Sequence, residues 1–325
     1  MRSSREIRIA LIGDTMLGRG VGSEIARRGT GKGLVAPEVV EAARVADLVV
    51  LNLECCVSER GERWPDPGKP FFFRGPPAAL ECLDELGVGC VTLANNHILD
   101  YGPLALLDTL DHLAGAGIAC VGAGADVSQA RRPAILSVQG LEVAVVGVTD
   151  HPAGFAAGPG RPGVAYANLW DDPVPAWLAD EVAAARRRAD VVLVTPHWGP
   201  NMTTSPLPHV RAAAARLVEA GATVVAGHSA HVFQGVAPPV LFDLGDFIDD
   251  YVVDPELRND LGLLWTVTVG SAGPTRVECL PLAITDRRTA AAIGEDRAWI
   301  EQRLRAACAE FGSTVRREGG CLVVE

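Results

Sequence analysis

Ile7-Arg8-Ile9-Ala10-Leu11-Ile12, residues 7–12, followed at once by Gly13-Asp14, is the stretch from which the fold is read. Its apolar, β-branched character favours extended backbone, and its length suits a strand better than a helix. It runs into a glycine turn and a carboxylate. The same order returns four times. Residues 47–53 lead to Glu54, residues 90–93 to Asn95-Asn96-His97, residues 191–195 to His197-Trp198-Gly199, and residues 223–226 to Gly227-His228-Ser229-Ala230-His231. Strands of an open α/β sheet deliver ligands to their carboxyl ends. Five such ends would gather Asp14, Glu54, Asn96, His97, His197, His228 and His231 at one edge. A lone histidine after a strand is ordinarily a hydrogen-bonded structural residue. Four of the chain's seven histidines at equivalent strand ends point instead to a shared site.

Between these strands, Ala/Leu-rich stretches carry helical patterning: residues 37–45, with Pro37 at the first helical position, then 77–86, 104–114, 175–188, 209–220 and 298–311. Residues 135–138 and 142–148 read as a hairpin around Gln139-Gly140. Residues 240–244, 262–269, 275–282 and 322–324 are strand-like. The first two-thirds is βαβ-like and the last third richer in strands. This mixture predicts an α/β fold of two packed mixed β-sheets flanked by helices, rather than one doubly wound sheet. The chain is read as a single domain over residues 1–325. Residues 271–325 carry no motif and would complete the sandwich with strands and a helix. Residues 58–77 and 150–175, rich in Gly and Pro, are expected to be long loops of the kind that form lids or binding walls.

The 325 residues are 48% hydrophobic and 21% charged, which suits a large globular core. A formal charge of −11 argues against a general nucleic-acid binder, which would carry a basic stripe. The eight cysteines form no CxxC pair, so neither a structural zinc site nor a disulfide framework is expected. The first residues lack the pattern of a signal peptide, and no apolar stretch reaches membrane-spanning length. A cytoplasmic protein with reduced thiols, and no membrane partner, is the expectation. The oligomeric state, a homo-oligomer included, stays open.

Carboxylate, amide and imidazole donors suit zinc, manganese or iron(II). Two such divalent cations close together can activate a water and clamp the oxygens of a displacement. Of the remaining histidines, His112 and His209 read as surface or core residues, whereas His151 is a candidate to face the site.

GDTMLGR (13–19), NLE (52–54), FFFRGPP (71–77), LANNHILDYG (93–102), HWG (197–199), GHSAHVFQG (227–235) and LGDF (244–247) occur in the order seen in the CapA family. These are capsule or poly-γ-glutamate biosynthesis proteins, a branch of the calcineurin-like metallophosphatases. The resemblance covers roughly residues 7–270 and implies a four-layer α/β/β/α sandwich. It further implies one metal on Asp14, Glu54 and His231, and a second on Glu54, Asn96, His197 and His228, with Glu54 bridging. His97, oriented by Asp100, would be the acid, and a metal-activated hydroxide would attack an acyl or phosphoryl centre. Met16 stands where the wider superfamily has a histidine ligand, so water or Asp246 would complete the first shell.

The resemblance implies a small anionic or glutamate-like, amide-bearing substrate. Phosphoester hydrolysis is an alternative chemistry, and a non-catalytic accessory role in capsule synthesis an alternative function. Arg19 and Arg74 fit carboxylate or phosphate, and Phe73 and Trp198 would supply an apolar wall. Cys55 and Cys56, beside Glu54, read as packing residues.

Overall fold

The computed structural model describes residues 5–171 and 174–325; positions 172 and 173 of the second long loop, and residues 1–4 of the leader reading, lie outside the described residues. The strand Ile7–Thr15 is the spine of the larger sheet. It pairs in parallel with Leu48–Leu53, which pairs with Cys90–Thr92, which pairs with Ala119–Val121. On its other side it runs antiparallel to Leu261–Gly270, and Gly273–Thr285, Cys321–Val324 and Val315–Glu318 follow outward. The second sheet is built on Val191–His197, parallel to Leu141–Thr149 and to Val224–Ala226, with the hairpin partner Ala134–Val138 at one edge.

Strand alternation explains the layers. Ile7, Ile9 and Leu11 point into one apolar cluster, where they meet Val143, Val145, Val191 and Leu193 of the second sheet. That cluster is the sheet-on-sheet core, and Trp265 is fully buried in it. The opposite parity, Ala10 and Ile12, packs against Val21, Ile25, Val39, Leu83 and Leu106 of the helices Arg19–Arg28, Pro37–Arg44, Leu80–Leu86 and Gly102–Gly115. Val192 and Val194 turn to the helices Ala176–Arg188 and Pro208–Ala220 on the far side. The molecule is therefore the four-layer α/β/β/α sandwich, with every strand of the two spines buried on both faces.

Several boundaries shift from the sequence reading. The first strand continues through Gly13-Asp14 to Thr15, so Asp14 is held in the sheet and not in a turn. The last helix is Gly294–Ala309, four residues ahead of its expected start. All eight cysteines are free. Among the described residues, no helix is long and apolar enough to cross a membrane.

Candidate metal centre

Register places the site. Asp14 lies opposite Asn52 on one neighbouring strand and opposite Asp246 on the other, because the short strand Asp246–Ile248 pairs in parallel with the end of Ile7–Thr15. Gly13 makes this approach possible: a Cβ there would sit 1.8 Å from the Gly245 carbonyl oxygen, which accepts from the Asp14 N–H at 2.9 Å. In the second sheet His197 closes its strand and bridges to His228. Gly227 is tied there in the same way, since a Cβ would meet the Phe242 carbonyl oxygen at 2.0 Å. Both sheets thus end at one place.

Asp14, Glu54 and His197 form one group of ligand atoms within 4.8 Å of one another, and Asp14, His231 and Asp246 form a second. The two groups share Asp14, where the resemblance implied that Glu54 is the shared residue. Asp14 Oδ1 accepts from Asn52 Nδ2 at 2.7 Å and lies 3.2 Å from His228 Nδ1. Asp14 Oδ2 accepts from the Ser229 amide at 3.2 Å and lies 3.6 Å from His231 Nδ1. His231 Nδ1 is 2.8 Å from Asp246 Oδ1. Ser229 and His231 hold φ of 109° and 60°, a left-handed backbone that costs non-glycine residues about 1–3 kcal/mol each. Hydrogen bonds at both sides of the turn sustain it: Ser229 Oγ donates to the Gly199 carbonyl at 2.9 Å, and the Ala230 amide to Asp243 Oδ2 at 2.8 Å.

The donors fit a cation. Glu54 Oε1, Asn96 Oδ1 and His197 Nε2 are buried without any hydrogen-bond partner. Glu54 Oε1 and His197 Nε2 stand 3.8 Å apart, a separation that two donors each about 2 Å from one ion would span. Buried polar atoms are normally paired; among the described residues these three are unpaired together with His228 Nδ1 and Asp246 Oδ2 of the same site and with atoms elsewhere, such as Thr92 Oγ1 and Arg131 Nε. Electrostatics agrees. Burial, then the charge of Asp14, pushes the Glu54 carboxyl well above the usual carboxylate range. Burial, then Asp249 and Asp14, does the same to Asp246. For His231, burial disfavours the charged ring, but Glu54 and Asp14 outweigh it and raise its pKa. Asp14 runs the other way: burial opposes its ionisation, but the His228 hydrogen bond and the charges of His228, His197 and His231 hold its carboxyl well below the usual carboxylate range.

His97 lies beside the ligands. Its Nδ1 is 2.7 Å from Asp100 Oδ2, which also accepts from the Phe73 amide at 2.6 Å. Asp100 acting as acceptor makes Nδ1 the protonated nitrogen and leaves Nε2 with its lone pair. Burial lowers the His97 pKa to about 4 against the opposing pull of Asp100, so the ring is neutral near pH 7. Phe73 stacks on it with centroids 3.8 Å apart and, at 2% exposed, is part of the core rather than the open substrate wall expected from sequence.

Sequence reasoning missed two neighbours. Lys69 sends its ammonium to Asp100 Oδ1 at 2.9 Å and to the Asn96 carbonyl at 2.8 Å; the signal was a lysine two residues before the aromatic run Phe71-Phe72-Phe73. Tyr251 donates its hydroxyl to Glu54 Oε2 at 3.2 Å, and no spacing rule linked it to Glu54, 197 residues away. Trp198 is a correction: it is 3% exposed, its indole N–H donates to the Phe242 carbonyl at 3.0 Å, and it packs with the outer helices. It is core, not an open substrate wall. Arg19 pairs with Asp250 at 3.3 Å, and Arg74 lies over Tyr101. His151 sits with Asp150, its ring centroid 5.2 Å from that of His197. His209 approaches the same Asp150 at 3.7 Å and stacks on Trp170. Burial raises the Cys55 thiol to about 12 and the Cys56 thiol well above its usual value, which leaves both as protonated packing groups.

Residues 8–251 match the family described as bacterial capsule synthesis protein PGA_cap. A probable polyglutamine synthesis accessory protein of Mycobacterium tuberculosis is 36% identical over 289 residues, covering 83% of this chain and 74% of that one. The PGA biosynthesis protein CapA of Bacillus subtilis is 28% identical over 247 residues, covering 74% and 63%. The capsule biosynthesis protein CapA of Bacillus anthracis is 29% identical over 259 residues, covering 77% and 61%.

Proposed function

This chain belongs to the bacterial capsule synthesis (CapA) family, and from that premise we propose that it is a metal-dependent hydrolase acting on an amide, acyl or phosphoryl centre of a small anionic or glutamate-like substrate. The observation that carries the reading is a pair of buried donors without hydrogen-bond partners, Glu54 Oε1 and His197 Nε2, 3.8 Å apart at the meeting point of both sheets. A site that had decayed into a structural element would have paired or lost these atoms, because each costs stability while unsatisfied.

Two divalent transition metals, manganese, zinc or iron, are the proposed cofactors. Asp14, Glu54, Asn96, His197, His228 and His231 would hold them, with Asp246 completing the shell that Met16 leaves short. Bound there, they would supply Lewis acidity and a water nucleophile available at neutral pH. The chain's own contribution is proton handling and orientation. His97 Nε2 accepts a proton and returns it to the leaving group, while Asp100 fixes the tautomer. Lys69 holds Asp100 and the Asn96 backbone together, and Tyr251 fixes the Glu54 carboxylate. Phe73 covers one face of His97 and excludes water from it. Arg19 and Arg74 are proposed to bind anionic groups of the substrate.

The test is turnover of γ-glutamyl amides and of phosphoesters by the manganese-loaded protein, with His97→Ala as the comparison. Turnover of either class that His97→Ala abolishes supports the reading and names the bond. The relatives' name of accessory protein favours one rival, a non-catalytic role in polymer synthesis. Absence of turnover on both classes in a metal-loaded, folded protein would favour that rival.

A further inference from the structure

The strand Leu141–Thr149 runs parallel to Val191–His197, and its register sets Thr149 opposite His197. Asp150 and His151 follow directly, so the second sheet brings a further histidine to the metal centre. The His151 ring stands against that of His197, with centroids 5.2 Å apart. Its side chain is 30% exposed, whereas those of His97, His197, His228 and His231 are 8% exposed or less. His151 is thus the histidine of this cluster that borders open space, and the proposed chemistry gives it no task.

Asp150 fixes how the ring is presented. Its side chain is fully buried; Oδ1 bonds His151 Nδ1, and Oδ2 accepts from the Gly199 amide at 3.0 Å. The Asp150 N–H donates to the His197 carbonyl at 3.1 Å, and Thr149 Oγ1 donates to the His151 carbonyl at 2.7 Å. From the helix Pro208–Ala220, His209 Nε2 approaches Asp150 Oδ2 at 3.7 Å. The carboxylate is therefore held from both strands and from one outer helix. Asp150 acting as acceptor makes Nδ1 the protonated nitrogen and leaves His151 Nε2 with its lone pair. Among the described residues, Nε2 has no hydrogen-bond partner. The arrangement repeats that of His97 and Asp100 in the other sheet. A ring placed only to pack on His197 would need no carboxylate behind it, and burying a carboxylate is costly.

We infer that His151 Nε2 accepts a hydrogen bond from the bound substrate, so that the centre favours a metal-bound group carrying an O–H or N–H donor over one that carries none. The inference rests on the metal-centre reading above and adds a specificity to it. A donor pairs with the Nε2 lone pair, whereas an oxygen without a proton faces it lone pair to lone pair and leaves it unsatisfied. Hydrogen phosphate and sulfate are matched in charge and shape, and only hydrogen phosphate carries an O–H.

Isothermal titration calorimetry of the full chain at pH 8, stoichiometrically loaded with manganese and freed of excess metal, is the test, with inorganic phosphate and sulfate as probes and metal content measured in every sample. H151F should weaken phosphate binding about tenfold, while sulfate, whatever its starting affinity, should change less than about twofold. Metal content should equal that of the unmutated chain. The metal's own preference for the more basic phosphate is common to all samples, so the change in the ratio reads His151. H151A, with the same expected loss, answers the question if H151F does not fold. Equal weakening of both anions, phosphate binding indifferent to the substitution, or no phosphate binding by the metal-loaded unmutated chain would each overturn the assignment. Loss of metal in H151F would overturn it too, by making His151 a ligand. An unmutated chain that takes up no manganese would instead sink the metal-centre reading, and this inference with it.

Discussion

His97, Asp100 and Lys69 form a short chain of charge and hydrogen bonds whose members come from two loops. Because Nδ1 is committed to Asp100, substituting His97 should remove proton transfer without removing any metal donor. His97→Ala is expected to retain bound metal and to lose turnover by about 10²–10⁴-fold; loss of metal along with activity would reassign His97 as a ligand. Gly13 makes a sharper structural prediction. A methyl group 1.8 Å from the Gly245 oxygen cannot be absorbed by a side chain, since the obstacle is backbone. Gly13→Ala should cost about 3 kcal/mol or more in denaturant unfolding, and a change below about 1 kcal/mol would contradict the packing described. At this scale the ligand residues were legible because their chemistry is rare and sits at strand ends. Lys69 and Tyr251 were not, because a lysine and a tyrosine carry no metal signature and their partners are distant in sequence.

Elements were legible where alternation or apolar periodicity was strong, as in Ile7–Thr15 and Val191–His197, and illegible where it was weak. The helix Arg19–Arg28 contains Gly20 and Gly22 and has no side-chain cap at its start, so local propensity argues against it. Tertiary packing of Val21 and Ile25 against the sheet overrides that preference. The strand Asp246–Ile248 is three residues long and gains its identity only by pairing with Ile7–Thr15. Trp198 is the instructive error: an aromatic directly after a proposed ligand suggested a substrate wall, yet its strand parity turns it toward the outer helices. Trp198→Phe should therefore lower stability by about 1–3 kcal/mol through the orphaned Phe242 carbonyl. Its effect on substrate affinity should be negligible, and a selective rise in KM at unchanged stability would restore the wall.

Across the whole molecule, the two sheets share an apolar core and meet at a polar end, where Asp14 and Glu54 of one sheet approach His197 and His228 of the other. Ions held there would fasten the layers together. We read the chain as one domain, so unfolding by heat should be a single transition, and metal at a hundredfold excess over its Kd should add about 2.7 kcal/mol to stability. Two transitions by calorimetry would divide the chain. The sequence carried the layer order because each spine strand is apolar on both parities. It could not carry the sharing of Asp14 between two ligand groups, which follows from the register with Asn52 and Asp246 and is visible only once the strands are paired.

The measurement that bears most directly on the central claim is elemental analysis of the purified full chain, taken with thermal unfolding before and after a chelator. The metal-centre account predicts between one and two transition-metal ions per chain. It also predicts a clear fall in Tm when they are stripped, recovery on adding manganese or zinc, and loss of bound metal in Glu54→Gln and His197→Ala. A folded protein that carries no metal, and whose Tm does not respond to manganese, zinc or iron, would contradict it.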